Sequence, residues 1–285
     1  MSGAGALVLV GTPIGNLGDL SPHAVEALRD ADVIAAEDTR RTRALLTHAG
    51  VPAGRRLRAV HGGNERRLAA GIVDEVRRGA RVAYATDAGM PGISDPGERL
   101  VRACLDAGLA VEVVPGPSAL LAGLVLSGLP TQRFVFEGFL PRKGKGRAER
   151  LAAVVAETRT VVLFESPVRV EATLADLAAA CGPDRAVAVA REVTKRFEEV
   201  WRGTLGRAAA ESAASGARGE YVVVVGPAPA GPGAVDDDGL DEAVDAALDS
   251  GLSARDAAAQ VAAELSVPKR RAYDAATRLA RVRRG

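Results

Sequence analysis

Cysteine, histidine, lysine and aromatic residues are all scarce in this chain of 285 residues. Cys104 and Cys181 stand apart in Ala/Leu-rich surroundings, and His23, His48 and His61 are scattered. Such a set has no metal-ligand spacing, so no metal is expected, and two buried free thiols suit a reducing compartment. Five Phe, three Tyr and one Trp are too few for a broad base-stacking platform, and they leave the interior to Ala, Val and Leu. No uninterrupted apolar run is long enough to cross a membrane. A cytoplasmic protein without a membrane partner is therefore expected. The opening MSGAGALVLVG lacks a basic start and a long apolar core, and reads as a short tail entering a strand rather than a signal peptide. Arginine outnumbers lysine 33 to 4, yet the formal charge is only +1. That balance excludes a grossly basic protein but leaves room for local basic surfaces.

What the chain does have is Gly/Pro turns placed after strand-like runs. ALVLVG runs into TPIGNLGDLS, RVAYATD into AGMPGISDPG, and LAVEVV into PGPSAL. Apolar, β-branched runs that end in such turns and lead into periodic apolar segments read as a parallel α/β sheet. Ligands in these sheets bind beyond the carboxyl ends of the strands. Turns rich in Gly and Pro offer backbone groups rather than long side chains, which suits an organic cofactor held by its edges.

With 47% apolar residues the chain can fill two domains of ordinary size. Strands are expected at 7–10, 32–38, 56–60, 82–85 and 110–114, with helices at 22–29, 41–49, 65–78 and 98–107. Ser21 and Pro22 suit the cap and first turn of the first helix. The boundary falls near 115–121. The second half changes character: QRFVFEGFL, RTVVLFES, RAVAVARE, EEVWRGT and GEYVVVVG suggest a mixed or largely antiparallel sheet, with helices near 148–157, 168–180 and 205–214. The domains are thus 1–117 and 118–227, both α/β. GPAPAGPGAVDDDG makes 228–239 a linker by composition, and 240–285 a small helical appendage in which Ser253 caps the middle helix.

The first turn is neither G-x-G-x-x-G nor a phosphate loop ending in Gly-Lys-Ser/Thr. In the second, Asp87 lies directly beyond a strand and Gly89 lets a ligand approach the backbone. Asp87, Asp95 and Ser118 each read equally as local caps of backbone N–H groups. Asp38 ends the second strand as a ribose-binding acid would, but acidic strand ends are common.

VGTPIGNLGDLS, AAEDTRRTRALL, DAGMPGISDPG, PGPSAL and FESPVR, in that order, resemble the tetrapyrrole-methylase-like family. Within it they resemble the bacterial branch that methylates a cytidine 2′-oxygen of 16S ribosomal RNA. The match continues through REVTKRFEEVWRG and RGEYVVVVG. The resemblance implies S-adenosyl-L-methionine held in a cleft between two α/β domains, a homodimer, and action on the decoding centre of 16S rRNA in the small ribosomal subunit. No DNA partner is expected. Carried over motif by motif, it puts Pro13 in the first cofactor turn and Asp87, Ala88 and Gly89 in the second. Ile93 comes against the adenosine or methionine portion, Ser118 and Ala119 follow the hinge, and Gly226 and Pro227 end another strand near the cleft. Glu165 in FESP faces the cleft as the catalytic candidate, for RNA placement or proton transfer. It reads equally as a helix cap before Pro167.

Arg40, Arg41 and Arg43 follow Glu37 and Asp38 and form a candidate RNA-facing rim. Lys143, Lys145 and Arg147, on a loop made adaptable by Gly144 and Gly146, suit phosphate contact. In the tail, residues 236–249 hold seven acids and no bases, whereas 268–285 hold seven bases and one acid. The basic end is expected to contact RNA or the subunit, unless it is a solvated helix. Two other functions stay open: methylation of a tetrapyrrole precursor, and cofactor binding on the ribosome without turnover.

Overall fold

The computed structural model describes residues 5–215, 218–229, 237–265 and 267–283, and the chain divides into two compact units, Met1–Pro227 and Ala228–Gly285. The first unit holds two five-stranded sheets. In the first sheet β1 (Ala6–Val10), β2 (Val33–Ala36), β3 (Leu57–Ala59), β4 (Arg81–Ala85) and β5 (Ala110–Val114) are all parallel, in the order β3-β2-β4-β1-β5. Helices α1 (Pro22–Asp30), α2 (Thr39–His48), α3 (Glu65–Arg77) and α4 (Glu98–Asp106) make the crossovers.

Strand side chains alternate between faces, so this sheet feeds two cores. Ala6, Val8 and Val10 pack with Ala24 and Leu28 of α1 and Leu46 of α2. Leu7, Val33, Ala35 and Tyr84 pack with Ile72 and Val76 of α3 and with Leu100 and Cys104 of α4. β1 and β4 are neighbours, but their outgoing connections lead to opposite edges of the sheet. A crevice opens beyond their carboxyl ends, as it does wherever strand order reverses in a doubly wound sheet.

Local chemistry sets the helix starts. The Ser21 side chain accepts a hydrogen bond from the Ala24 amide, with Pro22 in the first turn. Asp38 accepts from the Arg40 amide at 2.8 Å, which starts α2 at Thr39, two residues before the sequence expectation. Asp38 is therefore a cap. At α4 the cap comes from far away: the buried Glu65 carboxylate accepts from the amides of Gly97, Arg99 and Leu100.

The second sheet contains β6 (Phe134–Phe139), β7 (Thr160–Glu165), β8 (Ala186–Arg191), β9 (Glu199–Thr204) and β10 (Tyr221–Val225), in the order β6-β7-β10-β8-β9. Only β6 and β7 pair in parallel; β10 is antiparallel to both its neighbours. Helices α6 (Lys145–Ala156), α7 (Val170–Cys181) and α8 (Leu205–Ser215) cover one face through Val154, Leu174, Leu177 and Leu205. The other face is covered by α5 (Ala119–Ser127), whose Leu120 and Leu124 meet Val162, Ala188, Val222 and Val224. Ile14, from the turn after β1, joins that same cluster. Sequence periodicity does not reveal α5, because ALLAGLVLS is apolar on every side and has no amphipathic stripe.

The second unit has its own core. Leu240 and Val244 of α9 (Asp237–Asp249), Val261 of α10 (Ala254–Glu264) and Ala272 and Ala276 of α11 (Lys269–Val282) pack together, and Ser253 caps α10. α9 begins inside the stretch read as linker, of which residues 230–236 lie outside the described residues. The acids and bases of this unit pair with each other: Arg271 with Asp237, Arg278 with Asp241, Arg283 with Asp245 and Asp249. Lys269, Arg270 and Arg281 stay exposed.

One close approach holds the first unit's turns. A Cβ built on Gly11 falls 2.6 Å from the Gly116 nitrogen and 2.7 Å from its Cα, so backbone faces backbone where β1 and β5 end. Gly11→Ala should cost about 2–3 kcal/mol, as overpacking against an unyielding neighbour does. Urea denaturation should show a lower midpoint at unchanged slope.

Candidate active site between the two sheets

The first two turns are bonded to each other. The Thr12 amide donates to the Gly89 carbonyl at 2.9 Å, and the Gly89 amide donates to the Thr12 carbonyl at 3.1 Å. The Thr12 hydroxyl donates to the Thr86 carbonyl at 3.2 Å. Gly89, at φ +80°, takes a left-handed conformation that glycine adopts without strain. Its backbone groups therefore join the turns together rather than presenting themselves to a ligand. Among the described residues, three non-glycine residues also have positive φ: Ser94, Glu192 and Thr194. Such strain gathers at functional sites, and here all three flank one cavity.

That cavity, of ≈370 Å³, lies between the two sheets. Ile14, Ala88, Phe139, Phe164, Val193 and Val222 supply apolar wall, while Ser94, Asp95, Ser118, Ser166, Lys195 and Glu220 supply polar groups. A second cavity of ≈400 Å³ adjoins it, lined by Pro13, Arg41, Thr42, Thr86 and Asp87 among others. The two share Ile14, Ala88, Lys195 and Glu220 as a common wall.

Of the residues expected at the cofactor, Ala88, Gly89, Ile93, Ser118 and Ala119 line the first cavity. Ser118 does so while also capping α5 through the Leu121 amide. Pro13 and Asp87 line the second cavity instead. The Asp87 carboxylate accepts from the Asp38 amide at 3.1 Å and faces Arg41 at 3.5 Å. Gly226 and Pro227 line neither cavity, which corrects their assignment. Because β10 runs antiparallel to β7, Tyr221 pairs with Glu165 at the cavity and Val225 pairs with Val161 at the opposite end. The Gly226 carbonyl there accepts from the buried Arg185 guanidinium. The cavity is served by the start of β10, Glu220 to Val222, and the carboxyl-end rule for parallel strands does not carry over.

Glu165 borders the cavity but its carboxylate is buried and fully engaged. One oxygen accepts from Arg169 and the Ser166 amide, the other from the Thr173 hydroxyl at 2.7 Å. The geometry is that of a structural hub rather than of a free base. Thr173 in turn accepts from Arg147, which also binds Asp176 and the Pro141 carbonyl. Arg147 is thus a buried support, with only 12% of its side chain exposed, and this corrects its expected RNA-facing role. Lys143 and Arg43 are exposed, Lys145 is exposed beside Glu149, Arg40 pairs with Asp38, and Arg41 reaches Asp87.

A family model described as Tetrapyrrole (Corrin/Porphyrin) Methylases matches residues 6–209. This chain belongs to the tetrapyrrole methylase family. Within it, the chain is 41% identical over 276 residues to Ribosomal RNA small subunit methyltransferase I of Synechocystis, covering 96% of this chain and 98% of that protein. The Xylella fastidiosa protein of the same name is 48% identical over 84% of this chain and 85% of its own length. Among solved structures, Thermus thermophilus uroporphyrin-III C-methyl transferase complexed with S-adenyl homocysteine superposes with TM-score 0.55 at 22% identity, over 78% of this chain and 96% of that one. The methyltransferase CobJ gives 0.58 at 21%, over 79% and 95%. At those identities the structures speak for the fold.

S-adenosylmethionine is the methyl donor of this family member, and the lining residues fit it. Apolar walls suit an adenine and the methylene groups of the methionine chain. The N-terminal end of α5, at Ser118 and Ala119, suits a carboxylate. Asp95 and Glu220 put negative charge where a sulfonium is favoured. The sequence reading did not find Val193, Lys195, Glu220, Tyr221 or Val222. Lys195 bonds Glu192 at 2.9 Å and Glu220 at 2.7 Å, tying the β8–β9 turn to the start of β10. Among the described residues, no cluster of three His, Cys, Asp or Glu could hold a metal, and no helix is long and apolar enough to cross a membrane.

Two outcomes follow from the geometry. A Cβ at Gly89 would lie 3.4 Å from Ile14 and 3.5 Å from the Pro117 carbonyl, at a backbone angle that valine resists. Gly89→Val should therefore weaken S-adenosylmethionine binding by about tenfold or more, ~1.4 kcal/mol, in calorimetric titration. Arg147→Ala leaves Asp176 without its arginine and takes a donor from Thr173, and should lower the thermal midpoint by several degrees. Lys143→Ala should leave that midpoint within about a degree, as exposed sites do.

Proposed function

We propose that this enzyme transfers the methyl group of S-adenosylmethionine to the ribose 2′-oxygen of a cytidine in the decoding centre of 16S rRNA, on the small ribosomal subunit in the cytoplasm. The observation that carries the reading is near-full-length similarity to proteins named for small-subunit rRNA methylation, joined to an apolar, acid-edged cavity between the sheets. The donor occupies the first cavity. The acceptor nucleotide enters by the second, where Arg41 stands ready for a phosphate and the shared wall of Ile14, Ala88, Lys195 and Glu220 separates the two ligands.

Methyl transfer of this kind needs the oxygen, carbon and sulfur nearly in line, so positioning supplies much of the acceleration. The bonded turns at Thr12 and Gly89 form a rigid floor for that alignment. Arg142, Lys143 and Lys145 form an exposed basic loop suited to RNA phosphates. The domains act as units at 1–117 and 118–227, with the appendage contacting RNA through Lys269, Arg270 and Arg281 of α11, which are exposed and outside the ion pairs described above. A homodimer is supported by the apolar side chains of Leu105, Val113, Leu121 and Val125, all more than half exposed.

Labelled S-adenosylmethionine and undermethylated small subunits test the reading. Label should appear on one cytidine 2′-oxygen, and subunits should bind less tightly after Arg142→Ala, Lys143→Ala and Lys145→Ala are combined, with the salt slope reduced by about two to three. Label on a tetrapyrrole precursor alone would reject it.

A further inference from the structure

Three carboxylates line the first cavity: Asp95, Glu165 and Glu220. Glu165 is held by Arg169, Ser166 and Thr173, and Glu220 by Lys195. Among the described residues, Asp95 has no hydrogen bond or ion pair. It stands two residues before Gly97, the N-cap of α4, yet serves none of that helix's first amides. The reason is Glu65. Its carboxylate already accepts from Gly97, Arg99 and Leu100, so the α4 amides are satisfied from α3. Asp95 is left half-buried at the cavity wall, after the strained Ser94 at φ +61°.

Three charges face it, from three elements. Glu37 at the end of β2, Asp87 in the second turn and Glu220 before β10 are acidic, and the Tyr84 phenol lies nearby on β4. Among the described residues, the cations paired with those acids are Arg41 on Asp87 and Lys195 on Glu220, and Lys195 shares the cavity wall with Asp95. Burial first, then Glu37, Asp87 and Glu220, push the Asp95 carboxyl up to about 7. Asp95 lines the first cavity, and of the acids acting on it Glu220 belongs to the wall shared with the second cavity and Asp87 lines that second cavity, where Glu37 bonds the Asp87 amide.

Building on the ribose-methylation reading, we propose that Asp95 is the general base that takes the proton from the acceptor hydroxyl. As the 2′-oxygen bonds the methyl carbon, the carbon–sulfur bond breaks, its electron pair stays on sulfur, and the hydroxyl proton passes to the Asp95 carboxylate. A base matched to neutral pH accepts a proton in the transition state and returns it to water afterwards. The positive sulfonium, when bound, favours the ionised form at the moment it is needed.

The test compares Asp95→Asn and Asp95→Glu with the parent. For Asp95→Asn, turnover of small subunits at pH 7.5 should fall by about 100-fold or more, with partial recovery in Asp95→Glu. In calorimetry the parent should bind S-adenosylmethionine more tightly as pH rises from 6 to 8. S-adenosylhomocysteine, whose sulfur is neutral, should show a smaller change, and Asp95→Asn should lose the pH step for both. At pH 6, where the parent carboxyl is mostly protonated, parent and Asp95→Asn should bind S-adenosylmethionine alike. The raised carboxyl disfavours the fold as pH climbs through its folded value, so Asp95→Asn should be at least as heat-stable as the parent at pH 8. Turnover by Asp95→Asn within about threefold of the parent, less than ~1 kcal/mol, overturns the proposal. So does loss of cofactor binding at pH 6, which would make Asp95 a cofactor ligand. A parent that labels a base or a tetrapyrrole and no ribose rejects the underlying reading, and the inference with it.

Discussion

The pair of backbone hydrogen bonds between Thr12 and Gly89 is the constraint on which the rest of the site depends. Parallel strands leave their C-terminal loops free to diverge, and at a reversal of strand order they must. Here the diverging loops are joined by a single antiparallel bridge, and Gly11 crosses Gly116 with no room for a Cβ. Three turns become one floor. From it Ile14 reaches into the core of the second sheet beside Leu120 and Leu124, so the two sheets are packed through the same residue that lines both cavities.

Electrostatics then divide the labour. Glu165 and Arg147 look catalytic and RNA-binding in isolation, but Thr173 joins them in one buried network that stiffens the wall below the basic loop. Breaking such a network by removing one partner costs far more than its net contribution to stability, because a buried charge is left behind. At the first cavity the charges of Glu37, Asp87 and Glu220 act together on Asp95. Burial and those charges disfavour the ionised form of Asp95, and a positive sulfonium beside it offsets that cost. A site that is electrostatically unfavourable when empty favours the cationic donor over its neutral product.

Much of this was legible in the sequence wherever the signal was local. The apolar runs of β1, β2, β4 and β5 and the Gly/Pro turns after them marked the crevice, while the lining residues Ala88, Gly89, Ile93, Ser118 and Ala119 came motif by motif from the family resemblance. What failed depended on partners distant in the chain. Gly226 and Pro227 were misjudged because strand direction is set by pairing with β7 and β8, which no local pattern records. Arg147 resembled its basic neighbours because Asp176 lies 29 residues away. Asp95 read as a helix cap because Glu65, which performs that role, is supplied by α3. α5 escaped notice because a helix buried on all sides has no stripe.

The central claim, that the donor lies between the bonded turns and the start of β10, is tested most directly by hydrogen–deuterium exchange with and without S-adenosylhomocysteine. Amides in residues 88–95, 119–121 and 220–222 should exchange more slowly when the ligand is bound, while Gly226 should be unchanged. Protection at Gly226 with none at 88–95 and 220–222 would contradict the account.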